Sequence, residues 1–233
     1  MNKAIRFQWA ARSSRPDARV VLVQEGRLLA PPSLPQADRQ ALERWIETTK
    51  FKGKVGAAAW PQGLPAPVLA VGIGKKQDFH AARWLRAWAA AGRALEKAAV
   101  VRRASFEWPA SASLAAEGLL AGEYAFEAFR TRKKEHSFAF EFAGAELATK
   151  AARAAVRRAE LAGEILREVR DLANLPANAL GPLELAAQAK KLAKRAGLSC
   201  KVWDMAALKK ENCGALLAVA QGSRRPGCLI RLA

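Results

Sequence analysis

The sequence predicts an α/β chain of two parts joined by a long helix. Three observations predict it. Pro67-Val68-Leu69-Ala70-Val71-Gly72-Ile73-Gly74 is a buried-type strand that ends in glycines and leads into a helical stripe, the signature of a βα unit. Ser137-Phe138-Ala139-Phe140-Glu141-Phe142 alternates cleanly, as a strand with one buried aromatic face does. Residues from about 145 to 170 are Ala-rich, proline-free and laced with Arg and Glu, and they read as one long helix.

The elements follow in chain order. Ala4, Ile5, Phe7 and Trp9 among polar residues allow a first strand over 3–9. Arg19-Val20-Val21-Leu22-Val23-Gln24 is a β-branched run that enters a turn at Glu25-Gly26. Pro31-Pro32-Ser33-Leu34-Pro35 breaks the chain, and Leu42, Trp45 and Ile46 then give a helical stripe. After the 67–74 strand, Asp78 is placed to cap a helix that carries Ala81, Trp84, Leu85, Trp88 and Leu95 on one face. Trp84 and Trp88 are read as core or subunit contact rather than base-stacking residues. A short strand at Ser105–Trp108 precedes a helix over 113–129.

Past the long helix, residues 174–182 form a turn-rich loop. There Asp171, Asn174 and Asn178 are read as turn-fixing groups that bond their own backbone. Pro182 opens a helix that Gly197 stops. A strand at 199–203, a short helix at 205–210, a strand at 215–220 and a last strand at 228–232 complete the reading. That last strand presents an apolar edge that is prone to aggregate unless covered. No internal repeat or low-complexity tract interrupts the pattern.

Composition narrows the class. The 233 residues are 51% hydrophobic, enough to build a core and too much for wholesale disorder. No apolar run approaches the roughly 18 residues that span a bilayer, and residues 1–9 carry no secretory h-region. A soluble cytoplasmic protein is the expectation. Cys200, Cys213 and Cys228 lack CxxC spacing and sit among apolar neighbours, so they are read as reduced, buried, structural thiols. His80 and His136 have no nearby nucleophile or metal partner and are read as bystanders.

The net charge is +18. It is spread along the chain: residues 146–233 hold 16 Lys/Arg against 8 Asp/Glu, and residues 1–145 hold 23 against 13. Such a charge favours polyanions. The competing reading is a solvated surface in which arginine replaced lysine.

Two segments carry a family resemblance. One is Asp171-Leu172-Ala173-Asn174-Leu175-Pro176-Ala177-Asn178-Ala179-Leu180-Gly181-Pro182. The other is Gly214-Ala215-Leu216-Leu217-Ala218-Val219-Ala220-Gln221-Gly222-Ser223, followed by Arg225-Pro226. Upstream stand Val71-Gly72-Ile73-Gly74-Lys75, then Glu117-Gly118-Leu119-Leu120-Ala121-Gly122-Glu123-Tyr124-Ala125-Phe126, with Lys133-Lys134 beyond. Together they resemble the leucyl aminopeptidase (cytosol aminopeptidase) family. Ala173, Leu175 and Ala220 depart mildly from its pattern.

The resemblance implies a macro-like amino-terminal α/β domain over 1–145, a connecting helix over 146–170, and the opening βαβ part of a metallopeptidase domain over 171–233. It also implies a hexameric exopeptidase that releases amino-terminal residues from peptides with two divalent metals, manganese or zinc. The family's metal-ligand segments (Gly-Lys-Gly, Thr-Phe-Asp-Ser-Gly-Gly and Asn-Thr-Asp-Ala-Glu-Gly-Arg) do not occur in residues 1–233. The expectation is therefore a chain that lacks the catalytic half and is inactive alone, with no catalytic and no metal residue assigned.

Three motifs remain. Gly72-Ile73-Gly74-Lys75-Lys76 after a strand could cradle a phosphate, but a plain βα turn is favoured because a lone Gly-x-Gly is weak. Arg130, Arg132, Lys133 and Lys134, and separately Lys190, Lys191, Lys194 and Arg195, are basic clusters that suit phosphate contact, or a solvated loop and helix face. Some bacterial members of the family bind DNA, which keeps nucleic acid among the expected partners. The alternative to a peptidase part is thus a basic nucleic-acid-binding or scaffold module.

Overall fold

The structure is a computed structural model that describes residues 5–10, 16–31, 33–78, 80–98, 101–107, 112–131, 138–144 and 149–233. The chain divides into two compact units, Met1–Val169 and Arg170–Ala233.

The first unit opens with β1 (Arg6–Ala10), β2 (Ala18–Gln24), β3 (Arg27–Leu29) and α1 (Gln36–Thr49). It continues with β4 (Ala58–Ala59), β5 (Val68–Gly74), α2 (Ala81–Lys97), β6 (Arg103–Phe106), α3 (Ala112–Glu123) and β7 (Ala139–Ala143). A long helix, α4 (Lys150–Asn174), runs across the boundary between the units. One sheet takes the order β1-β7-β6-β2-β5-β4, with β3 hairpinned onto β2. The β1–β7, β7–β6, β6–β2 and β2–β5 pairs are parallel; β3 and β4 pair antiparallel.

Parallel strands need covered faces, and their residues sort accordingly. Ala18, Val20 and Leu22, Leu69 and Val71, Ala104 and Phe106, and Phe138, Phe140 and Phe142 face one way, against α2, α3 and α4. Val21, Val23, Val68 and Ala70 face the other way, against Leu42 and Ile46 of α1. The expected aromatic face of the 137–142 strand is present, and Phe140 and Phe142 are fully buried. One feature departs from simple alternation: Glu141, between those rings on the opposite face, is only 4% exposed.

Several expectations shift. β3 and β4 were not legible, because a three-residue and a two-residue strand carry too little pattern. The β2–β3 turn is held by positive φ at both Glu25 (50°) and Gly26 (81°), the tight hairpin geometry. The helix expected over 113–129 stops at Glu123, where its buried face ends: Glu123 is 6% exposed and pairs with Arg167 of α4, whereas Ala125 is exposed. The N-cap position of α2 is His80, which makes no side-chain cap bond, whereas the sequence reading gave the cap to Asp78. α4 extends to Asn174, into the segment read as loop. Trp108, His136 and the cluster Arg132, Lys133 and Lys134 lie outside the described residues.

The second unit contains α5 (Pro182–Ala196), β8 (Cys200–Trp203), α6 (Met205–Lys210), α7 (Gly214–Ala220) and β9 (Leu229–Leu232). α5 starts at Pro182 and ends on Gly197 at φ 69°, as its sequence demands. The strand read at 215–220 is instead α7. An apolar run of this length has no decisive period. Ala and Leu are the best helix formers, and a helix satisfies its own backbone where no neighbouring strand is offered. β8 and β9 pair antiparallel, Lys201 opposite Arg231 and Trp203 opposite Leu229. Leu229 and Leu232 are 38% and 47% exposed, in keeping with the apolar edge expected there.

Candidate functional site

The two motif segments of the second unit meet through one side chain. Gly181 precedes Pro182 at the start of α5, and its N–H donates to the Glu184 carboxylate at 3.0 Å. Arg225, from the other motif, donates to Glu184 Oε1 at 2.8 Å and to the Ala177 carbonyl. A Cβ at position 181 would stand 2.6 Å from the Arg225 guanidinium carbon, so a side chain there would have to push the guanidinium aside. Cys228 completes it, its Sγ 3.3 Å from the Pro182 carbonyl. The sequence shows both segments, Arg225 included, but not the role of Arg225, which is visible only when the 48-residue gap to Ala177 is closed in space.

The electrostatics of the clasp are structural. The Glu184 carboxyl sits below its usual value, first because its own backbone N–H stabilises the anion, then because of the Gly181 N–H and Arg225; partial desolvation opposes them. A depressed carboxyl contributes stability that is complete above the unfolded value and is lost as pH falls through the folded one. Melting curves taken from about pH 6 down to pH 3 are therefore expected to show a loss that Glu184→Gln flattens. An identical profile in the variant would refute this role for Glu184. Burial pushes the Cys228 thiol up, so it is a poor nucleophile. All three cysteines are free, as read, but half-buried rather than buried.

The two glycines at the end of β5 spend their N–H groups within the fold. The Gly72 N–H donates to the Ala57 carbonyl and the Gly74 N–H to the Gly53 carbonyl, both at 2.8 Å. The glycines are there because the 53–57 segment crosses against β5: a Cβ on Gly72 would overlap the Lys54 carbonyl and stand 2.5 Å from the Gly53 carbonyl carbon. Gly72→Ala is expected to cost about 2 kcal/mol or more, read as a lower urea midpoint; an unchanged midpoint would contradict the close crossing.

The described basic candidates are exposed side chains. Lys190, Lys191, Lys194 and Arg195 are all exposed on α5, at a spacing that groups them on one side of the helix. Arg130 is exposed beside Glu127, 4.0 Å away. Trp84 and Trp88 are core residues, 3% and 0% exposed. His80 is exposed. No three His, Cys, Asp or Glu side chains converge on a metal position among the described residues, so these residues do not fit a two-metal centre. No helix among them is long and apolar enough to cross a membrane.

Comparison with known proteins places this arrangement. The model of the cytosol aminopeptidase family, N-terminal domain, matches residues 20–133, and that of the family's catalytic domain matches residues 167–233. A probable cytosol aminopeptidase of Syntrophotalea carbinolica is 37% identical over 209 residues, 82% of this chain and 42% of that protein. One from Chelativorans sp. is 34% identical over 227 residues, 91% of this chain and 45% of that protein. The chain thus spans less than half the length of the curated relatives it matches. Among solved structures, a mutant of tomato leucine aminopeptidase superposes with a TM-score of 0.85 at 22% identity, covering 99% of this chain and 51% of that one; it shows the shared fold. The bottromycin maturation enzyme BotP in complex with Mn superposes with a TM-score of 0.70 at 26% identity, covering 94% and 45%. This chain belongs to the cytosol aminopeptidase family, a family of metallopeptidases, and covers its amino-terminal domain and the opening of its catalytic domain.

Proposed function

We propose that residues 1–233 form the amino-terminal part of a cytoplasmic, homo-oligomeric two-metal exopeptidase that releases amino-terminal residues from peptides, and that they do not hydrolyse peptides alone. The observation that supports this is the ordered match of both family models along one chain. In such an enzyme two divalent metals, manganese or zinc, polarise the scissile carbonyl and supply the nucleophile. The residues described here contribute scaffold: the sheet of the first unit and the Glu184–Arg225 clasp of the second. The intact mass of the protein from its source cells tests the reading. A mass well above 25.2 kDa is expected; a mass of 25.2 kDa overturns the peptidase assignment.

The second reading is a basic nucleic-acid-binding or scaffold module. It is favoured by the exposed Lys190, Lys191, Lys194 and Arg195 on one helix and by the net charge of +18. Phosphate contacts release counterions, so binding must weaken steeply with salt. A mobility shift of duplex DNA is expected at low salt, lost at moderate salt and lost in the Lys190→Glu, Lys191→Glu, Lys194→Glu triple variant. A shift indifferent to both removes this surface from consideration.

A further inference from the structure

The strand order of the first unit's sheet ends in two unequal edges. One is β4, two residues long and followed by Trp60 and Pro61, too short to template another strand. The hairpin strand β3, off that order, is three residues long. The other end is β1, five residues without proline or lysine and with a single charge, Arg6. Among the described residues β1 pairs with β7 alone.

The register shows which backbone groups of β1 are spoken for. The Arg6 N–H donates to the Phe138 carbonyl, and the Ala10 carbonyl accepts the Gly144 N–H. Backbone direction alternates along a strand, so Arg6, Gln8 and Ala10 turn their N–H and C=O groups to β7. Phe7 and Trp9 turn theirs outward, where they meet no hydrogen-bond partner among the described residues. Both rings are half-buried: each stacks on Phe142, Phe7 at 5.7 Å and Trp9 at 5.0 Å between centroids, and leaves a rim open. Gln8, on the other face, is exposed. Outward N–H and C=O groups beside half-covered aromatic rings make a template for one more strand.

We propose that this edge receives β1 of a second copy, antiparallel, about a two-fold axis through Gln8. In that register the strand is complementary to itself. Hydrogen-bonded pairs of an antiparallel ladder are made by residues that both point outward. Phe7 meets Trp9 of the other copy in this way, once on each side of the axis. The same pairs set aromatic against aromatic on the core face. Gln8 meets its own copy as the non-hydrogen-bonded pair, with Cα atoms about 4.5 Å apart. Arg6 meets Ala10, so no like charges are opposed. Within Arg6–Ala10 a register centred on Phe7 or Trp9 keeps one outward pair instead of both. With β3 and β4 too short to serve, the pairing closes as a dimer instead of growing along the sheet. This inference names a surface for the homo-oligomer proposed above and rests on that reading.

Sedimentation equilibrium of the 233-residue chain tests it. In about 0.15 M salt the Debye length of about 8 Å screens much of the +18 on each copy but leaves two directly opposed side chains in reach of each other. The wild type is expected at twice 25.2 kDa. Gln8→Lys and Gln8→Glu each set like charges against one another at the axis and should weaken the dimer about fivefold. Mixed in equal amounts, the two variants set Lys against Glu and should recover the association that each lost. A residue that acted on the fold alone would show no such recovery. A chain that stays at 25.2 kDa up to about 0.1 mM overturns both this interface and the homo-oligomeric reading. An oligomer that both variants leave unchanged, or that mixing fails to strengthen, overturns the interface and leaves that reading standing.

Discussion

Gly122→Ala is expected to unfold the first unit more readily than any conservative change on its surface. α2 and α3 cross at contact distance through three glycines. A Cβ on Gly122 would overlap the Ala89 carbonyl and lie 2.7 Å from its carbon; one on Gly92 would meet the Leu119 backbone, and one on Gly118 the Trp88 Cβ. Alanine in place of a helix-interior glycine gains about 1 kcal/mol of propensity, an upper bound for Gly122, one residue from the end of α3. The overlap is with backbone, which cannot rotate away, so the helices must separate along a packed interface, at about 3 kcal/mol or more. The clash wins by about 2 kcal/mol. A urea midpoint equal to or above wild type would show that the two helices are not locked at this distance.

Trp88→Ala is the second large effect. Its ring is fully buried, with Phe106 at 4.4 Å, Phe140 at 5.8 Å and Trp84 at 6.0 Å between centroids, edge to face. Removing it deletes the centre of an aromatic cluster joining α2, β6 and β7. Substitutions of this kind cost about 3–5 kcal/mol, a large share of the roughly 5–15 kcal/mol that holds a domain. Trp88→Phe should recover much of the loss. The indole Nε1 is buried with no hydrogen-bond partner among the described residues, so the ring contributes by packing alone. If Trp88→Phe were as damaging as Trp88→Ala, a polar role for the indole would have to replace this account.

The distribution of legible features has a physical basis. Elements with strong period or punctuation were readable: β2 and β5 from their β-branched runs, α2 from Trp84, Trp88 and Leu95, α5 from Pro182 and Gly197. Residues 215–220 read as a strand, and fold as a helix, because Ala, Leu and Val in a short run satisfy strand and helix equally. Whether a neighbouring strand is available decides between them, and that is a property of the assembled chain. The β8–β9 pairing was hidden for the same reason, since its direction depends on where the intervening α6 and α7 return the chain.

Among functional features the same division appears. The family was readable because its loop between residues 171 and 182 and its Gln221-Gly222-Ser223 segment are local strings. Their coupling through Arg225 was not, because an ion pair between positions 184 and 225 leaves no mark on either string. In sequence Gly72 reads as part of a glycine turn and Gly122 as one residue of a helix; both are points where other backbone passes too close for a Cβ. By itself the sequence determined the class of fold, the family and the aromatic face of the sheet, all of which follow from the order and period of apolar residues. Only the tertiary structure decided which polar groups share a face. It set Gln8, Glu141, Ser105 and Arg19 in one row because lateral neighbours in a parallel sheet come from distant parts of the chain.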